Sequence, residues 1–164
     1  MKGIRFGEAM SVIPLLGPVD NTSTNKWTAY VDLNLAHWIT FCVSFGSVSS
    51  AGTTCDDVLI QVVCSSLATT ASVDAVSFQY RLSSAIGTDS WGTITAGTSD
   101  GCTVGPLLDD KNLLIEVDPS VIAAVSAVKR FVALEFTPTT TSTFVSVTAF
   151  LEPKYPGNTI PSSS

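Results

Sequence analysis

One histidine and many serines are the residues of this sequence that could carry out acid–base or nucleophilic catalysis. To act as a general base, His37 would need a nucleophile and an orienting carboxylate, and the sequence spacing supplies neither. One G-x-S-x-G match occurs, around Ser99 at residues 97–101, but no helix is predicted after it, as a nucleophile elbow requires, and no glycine-rich phosphate loop occurs. We therefore expect no catalytic residues, no bound cofactor and a role other than that of an enzyme.

The four cysteines could bind a metal, form a disulfide or remain free thiols. They are separated by 13, 9 and 38 positions, which matches no zinc-binding spacing of the C-x-x-C kind. Cys42 and Cys64 lie in apolar runs, where cysteine behaves as a small hydrophobic residue. Cys55 and Cys102 lie among Gly, Thr and Asp in expected loops. Free thiols are the first interpretation, and a Cys55–Cys102 disulfide is the alternative if the two loops meet.

Paired aspartates and loop tryptophans are the remaining candidates for binding chemistry. Asp56–Asp57 and Asp109–Asp110 could hold calcium, but neither pair shows the D-x-D-x-D-G order of a dedicated loop. We expect no metal site. Trp27 and Trp91 lie in turn-like surroundings, where an indole can either stack on a sugar or cover the edge of a sandwich. A carbohydrate-binding module is therefore one alternative function.

Composition excludes two classes of partner. The 164 residues carry a formal net charge of −6, which gives no electrostatic basis for binding a phosphate backbone, so we expect no nucleic acid. No apolar run reaches the length of a membrane span, so we expect no membrane. The apolar stretch at residues 10–19 is interrupted by Pro14 and Pro18 and lacks a cleavage pattern. We therefore expect synthesis without a secretory signal.

Alternating apolar residues predict β-strands along most of the chain. In the clearest case, Ile39, Phe41, Val43 and Phe45 share one face of an expected central strand. After residue 117, Asp118 can cap a short helix that begins at Pro119. Its apolar face is expected to comprise Val121, Ile122, Val125 and Val128. The strands are predicted at residues 30–33, 38–45, 58–65, 76–83, 91–96, 113–117, 131–136 and 144–151.

These elements predict an all-β fold, namely an antiparallel β-sandwich of seven to eight strands that is jelly-roll-like, with one short helix. Five of the eight prolines lie near the two ends, where they disfavour regular ladders and favour extended backbone. We therefore divide the chain into an N-terminal arm at residues 1–26, a sandwich domain at 27–151 and a C-terminal arm at 152–164.

Seven stretches of the chain form a recognisable series: MKGIRFGEAM (1–10), IPLLGPVD (13–20), YVDLNLAHWITFCVSFG (30–46), FQYRLSSAIGTDSWG (78–92), LLIEVDPS (113–120), KRFVALEFTP (129–138) and FLEPKYPGNTIP (150–161). Together they resemble the small capsid decoration, or cement, proteins that tailed bacteriophages encode next to the major capsid protein. The resemblance covers nearly the full length, and the stretches follow the same order as in that family.

The resemblance implies a structural virion protein on the outer surface of the capsid, assembled in the host cytoplasm. Its expected partners are the major capsid protein and further copies of itself, as a homotrimer or another small homo-oligomer. Apolar anchors in the arms would bridge neighbouring capsid subunits by burial and strand addition. A tail, neck or head-completion protein is the alternative within the virion. The expected anchors are Phe6, Ile13, Leu15, Leu16, Tyr155 and Ile160.

Overall fold

Antiparallel β-strands dominate the computed structural model of the chain, which describes residues 9–21, 24–49, 58–85, 87–104, 110–138, 142–154 and 162–163. A 3-10 turn at Leu33–Leu35 and helix α1 at Pro119–Val125 interrupt them. The strands are β1 (Ser11–Asp20), β2 (Lys26–Trp27), β3 (Tyr30–Asp32), β4 (Ala36–Ser49), β5 (Val58–Ser65), β6 (Asp74–Val76), β7 (Phe78–Leu82), β8 (Thr95–Gly97), β9 (Cys102–Val104), β10 (Asn112–Val117), β11 (Phe131–Thr137), β12 (Ser142–Pro153) and β13 (Ser162–Ser163).

The strands form two sheets that pack together as a sandwich. A six-stranded sheet has the order β1-β12-β4-β10-β7-β8. A seven-stranded sheet has the order β13-β3-β11-β5-β6, and β2 and β9 add to β11 and β5 respectively. Each pairing is antiparallel. The predicted all-β antiparallel sandwich is confirmed, and β4 is a central strand.

The hydrophobic core lies between the sheets and follows the alternation of the sequence. Successive side chains of a strand point to opposite faces, so every second residue of β4 and β11 enters the core. Ile39, Phe41 and Val43 have no exposed surface, and Phe136 opposite them has none either. The predicted inward faces are confirmed for β4, and also for β12, where the buried residues are Val145, Val147, Ala149 and Leu151.

The strand predicted at residues 76–83 is in fact two strands that belong to different sheets. β6 pairs with β5, whereas β7 pairs with β10 and β8. Val76 and Phe78, on either side of Ser77, are 1% and 5% exposed. Because both side chains enter the shared core, the apolar alternation continues through the bend and gives no sign of it.

The N-terminal arm prediction is wrong for residues 11–20, which form the edge strand β1. β1 pairs with β12, and its register shifts between Pro14 and Leu16 and again before Val19. An edge strand needs hydrogen bonds on one side alone, and irregularities let it accommodate proline. The Leu15 carbonyl also accepts a hydrogen bond from the Ala29 N–H at 3.0 Å. This bond ties β1 to the chain between β2 and β3 of the other sheet.

The helix prediction is confirmed in position but not in its buried face. The Asp118 carboxylate accepts a hydrogen bond from the Ser120 N–H at 2.8 Å, and Pro119 opens the helix. The helix ends at Val125, so it is one turn shorter than the predicted apolar face. Ile122 is buried, but Val125 and Val128 are 44% and 71% exposed.

The C-terminal end also returns to the sandwich. β12 extends to Pro153, two residues beyond the predicted strand. Ser162 and Ser163 then pair with Val31 and Tyr30 of β3. The end of the predicted C-terminal arm is therefore a strand of the seven-stranded sheet, whereas residues 155–161 lie outside the described ranges.

Candidate functional site

The broadest candidate site is the outer face of the six-stranded sheet, which we define by the side chains that alternate with the buried ones. The register places these side chains in rows across the strands. Phe150 lies between Val12 and Thr40, and Thr148 lies between Pro14 and Cys42. Ser44 lies between Ser146 and Asn112, and Leu114 continues the row of Cys42. The rows place apolar and hydroxyl side chains side by side.

Charge on this outer face is sparse: among the described residues its charged side chains are Asp20, opposite Phe144 at one end, and Arg81, Glu116 and Glu152 elsewhere. β4 presents Trp38, Thr40, Cys42 and Ser44 outward, and none of these carries a charge. Arg81 and Glu116 are joined by an ion pair of 3.1 Å and partly neutralise each other. Glu152 lies opposite Trp38 near the end of β12. Few hydrated ions would therefore have to be stripped of water if another protein covered the face.

The structure separates the six predicted anchor residues. Phe6, Tyr155 and Ile160 lie outside the described ranges. Leu15 is 6% exposed and belongs to the core of the protein itself, so its side chain is not presented to a partner. Ile13 and Leu16 are half-buried and pack against the same core. The apolar residues of β1 thus belong to the sandwich. The sequence analysis assigned them to an arm because prolines in this stretch disfavour a regular strand.

The residues considered for catalysis do not form a constellation. His37 is exposed at the start of β4. Glu116 and Asp118 border a cavity of about 430 Å³ beside Trp38. The Glu116 carboxylate accepts from Arg81, and that of Asp118 caps α1. Both carboxylates are therefore engaged in structural contacts.

Candidate metal ligands do not cluster in the described part of the chain. No group of three or more His, Cys, Asp or Glu side chains could hold a metal ion there. Asp56, Asp57 and Asp109 lie outside the described ranges, and Asp110 is exposed in a turn.

Among the residues that the structure describes, no helix is long and apolar enough to cross a membrane.

Cys42, Cys64 and Cys102 are free thiols, while Cys55 lies outside the described ranges. Cys102 is not in a loop, because β9 carries it into the core, where it is 4% exposed. Burial raises the pKa of the Cys102 thiol to about 12. Burial also raises the pKa of Cys42 and of Cys64. At neutral pH these thiols stay protonated, which makes them weak nucleophiles.

A cationic cavity of about 450 Å³ lies beside α1 and is bordered by Lys129, Arg130 and Lys154. Two of these cations already have acidic partners. Lys129 pairs with Asp74, and Arg130 lies 3.4 Å from Asp32. The positive charge that this cavity presents to a ligand is correspondingly reduced.

Comparison of the chain with protein-family models, with curated proteins and with solved structures finds no match. The sequence alternation separates outward from buried residues within β4 and within β12, but it does not show that the two strands are neighbours, and it assigned the outward residues no role. The outward positions of both strands are almost free of charged residues. This property can be read from the sequence and could have drawn attention to the face.

Proposed function

We propose that the protein is a capsid decoration protein, a non-enzymatic structural component on the outer surface of a virion. It binds the shell of the major capsid protein and stabilises it by bridging neighbouring subunits. The observation that carries the proposal is the charge-poor outer face of the six-stranded sheet. The resemblance of the sequence stretches to capsid decoration proteins supplies the identity of the partner.

The size of the outer face suits a protein contact. Six strands spaced about 4.8 Å apart span roughly 24 Å, and eight residues of a strand span roughly 26 Å. The projected area is therefore roughly 600 Å², of the same order as the ~800 Å² that each partner contributes to a standard interface. Hydroxyl and apolar side chains lose little rotamer entropy when covered, in contrast to lysine and glutamate.

The terminal segments take a narrower part in this proposal than the sequence suggested. β1 belongs to the sandwich, so bridging falls to residues 1–8 and 155–161, which include Phe6, Tyr155 and Ile160. Burial of these apolar side chains in a neighbour contributes about 25 cal/mol per Å², offset by the entropy of ordering the segment. Many such contacts over a closed shell add up by avidity.

Capsid binding tests the proposal directly. The full chain is mixed with capsids of the major capsid protein from the same genome, and bound chain is measured after sedimentation. We expect saturable binding at hundreds of copies per particle. A deletion of residues 1–8, which spares β1, should lower occupancy at least tenfold while the melting temperature is unchanged. Absence of the full chain from sedimented capsids would refute the proposal.

Copy number separates this function from the alternatives within a virion. A tail, neck or head-completion protein is present at about a dozen copies or fewer, because it occupies a single axis of the particle. Quantitative mass spectrometry of purified virions gives the ratio of this chain to the major capsid protein.

We also propose that the protein forms a homotrimer and that its strands are arranged as in a jelly roll. Sedimentation equilibrium of the free protein tests the oligomer, and a monomeric mass would contradict it.

A further inference from the structure

A cavity of about 400 Å³ lies on the side of the seven-stranded sheet that faces away from the core. Trp27 and Tyr30 form one wall, and Ala68, Thr69 and Thr70 of the loop after β5 form another. Leu15 of β1 also lines the cavity. This volume falls within the usual range for small-molecule pockets, which is about 300–1,000 Å³.

Tyr30, one of the lining residues, has a buried hydroxyl without a hydrogen-bond partner. Tyr30 is 4% exposed, and its Oη has no hydrogen-bond partner. An unsatisfied buried polar atom destabilises the folded state, so such atoms are rare unless a ligand or water satisfies them. Burial and the nearby Glu135 charge raise the pKa of Tyr30, which keeps the hydroxyl protonated and able to donate.

The loop wall is held in place before any ligand binds. The Ser65 hydroxyl donates to the Ala71 carbonyl at 3.3 Å, and the Thr69 N–H donates to the Leu67 carbonyl at 2.8 Å. Lys129 donates to the Ser72 carbonyl at 2.9 Å, which anchors the far end of the loop to the chain after α1. Holding the loop backbone in place in advance reduces the entropy cost of binding.

The lining defines the chemistry of a ligand. None of the lining residues is charged, which favours a neutral molecule. The indole, the phenol ring and the aliphatic side chains suit the apolar C–H face of a ring. The Tyr30 hydroxyl and the two loop threonines suit hydroxyl groups on the ring's rim. A ring with one apolar face and a rim of hydroxyls is a pyranose sugar.

We propose that the cavity between Trp27, Tyr30 and the 68–70 loop is a binding site for a neutral pyranose sugar. Trp27 packs against the apolar face of the ring, and the Tyr30 hydroxyl donates to a ring hydroxyl. The site is on the opposite sheet from the charge-poor outer face. It does not depend on capsid binding and leaves that face free.

A glycan array that carries neutral and sialylated glycans tests the site with the full-length protein. We expect binding to neutral glycans, confirmed by calorimetric titration with the corresponding free mono- or disaccharide. Trp27→Ala should weaken binding at least tenfold. Trp91→Ala is the matched control, because Trp91 does not line the cavity, and it should bind as the unmodified protein does. If Trp27→Ala does not fold, Trp27→Phe should still weaken binding measurably.

Tyr30→Phe separates a binding role from a purely structural one. It removes the unpartnered oxygen and keeps the ring, so the melting temperature should be unchanged or higher, while sugar affinity falls about threefold to tenfold. An array without any neutral-glycan signal would overturn the proposal. Equal affinities of the Trp27→Ala and Trp91→Ala proteins, or binding restricted to sialylated glycans, would overturn it as well.

Discussion

The hydroxyl of Thr28 completes a ladder where two short strands meet. Its Oγ1 accepts a hydrogen bond from the Leu134 N–H at 3.0 Å, while the Thr28 N–H donates to the Leu134 carbonyl at 3.0 Å. The side-chain oxygen thus takes the place of a backbone carbonyl between β2 and β3. Thr28 is 3% exposed, so water does not readily replace this bond.

Thr28→Val should lower the free energy of unfolding by about 1–3 kcal/mol, because it leaves the Leu134 N–H buried and unpaired. Valine keeps the shape of the side chain, which isolates the effect of the hydrogen bond. Thr28→Ser, which keeps the hydroxyl, is the control and should lose less. Urea unfolding followed by tryptophan fluorescence measures both variants. Equal losses in the two would assign the effect to packing.

The buried Cys102 thiol makes stability depend on pH in the alkaline range. In the unfolded chain the thiol ionises near the ordinary pKa of 9.0, whereas in the folded protein its pKa is about 12. The folded state therefore holds the proton more tightly. Its contribution is fully present below about pH 9 and is lost as pH rises towards 12.

Cys102→Ala should reduce the slope of unfolding free energy against pH between pH 9 and 11 by up to about 1.4 kcal/mol per pH unit. The comparison uses slopes rather than absolute stabilities, because alanine also leaves a small cavity in the core. Urea titrations at several pH values provide the slopes. A Cys102→Ala protein with the slope of the unmodified protein would show that Cys102 ionises equally in both states.

At the scale of elements, Phe78 begins the strand that follows the change of sheets, and its ring packs against β8. Its ring occupies the space beside Gly97 of β8, where an added Cβ would lie 2.5 Å from ring atom Cε2. The ring reaches this position because β7 and β8 pair Phe78 directly opposite Gly97. A glycine at this position is thus required by the neighbouring aromatic ring, with no positive φ involved.

Gly97→Ala should destabilise the protein by about 1–3 kcal/mol, as overpacking of a filled site commonly does. Gly17→Ala in β1 is the matched control, because a Cβ at Gly17 meets nothing within 4 Å. Thermal melts of both variants give the comparison. If both shift the melting temperature equally, the cost comes from losing glycine in a strand rather than from the Phe78 ring.

Alternation of apolar residues made most long strands predictable, and it failed where its physical basis is absent. β4, β5 and β12 each have one face in a shared core, so period two specifies them. At Ser77 the chain changes sheets, but Val76 and Phe78 on either side both stay in the core. The apolar alternation therefore does not reveal the change. β1 was missed because its prolines sit on an edge with register shifts, and β2 and β13 are too short to show a period.

The candidate sites were less predictable than the fold, for a similar reason. The residue type of Trp27 made it a candidate for stacking on a sugar. The sequence does not show that Tyr30 and the loop threonines line the same cavity, because this depends on how the loop folds over the sheet. The outer face depends on which strands become neighbours. Sequence alternation places Thr40 and Thr148 on outward faces, but it does not place them two positions apart on adjacent strands.

β1 provides a test of how far the folded unit extends towards the N-terminus. Deletion of residues 1–20 removes the strand, exposes the edge of β12 and opens the core at Leu15. We expect that protein to lose several kcal/mol of stability or to aggregate, whereas deletion of residues 1–8 should leave the urea midpoint unchanged. Urea unfolding and light scattering measure the two. Equal midpoints would mean that β1 contributes nothing to the sandwich.

At the scale of the whole molecule, the proposed capsid contact can be tested by adding a charge to the charge-poor outer face. Thr148 is half-buried on the outer face, between Pro14 and Cys42, so Thr148→Lys places a hydrated charge where the proposed partner would lie. The change lies outside the core and should alter stability by less than about 0.5 kcal/mol. Capsid occupancy should fall at least tenfold, since burying an unpaired ammonium opposes binding.

Thr93→Lys, at an exposed loop position, adds the same charge as a control and should bind capsids normally. Full capsid occupancy of the Thr148→Lys protein would show that another surface makes the contact.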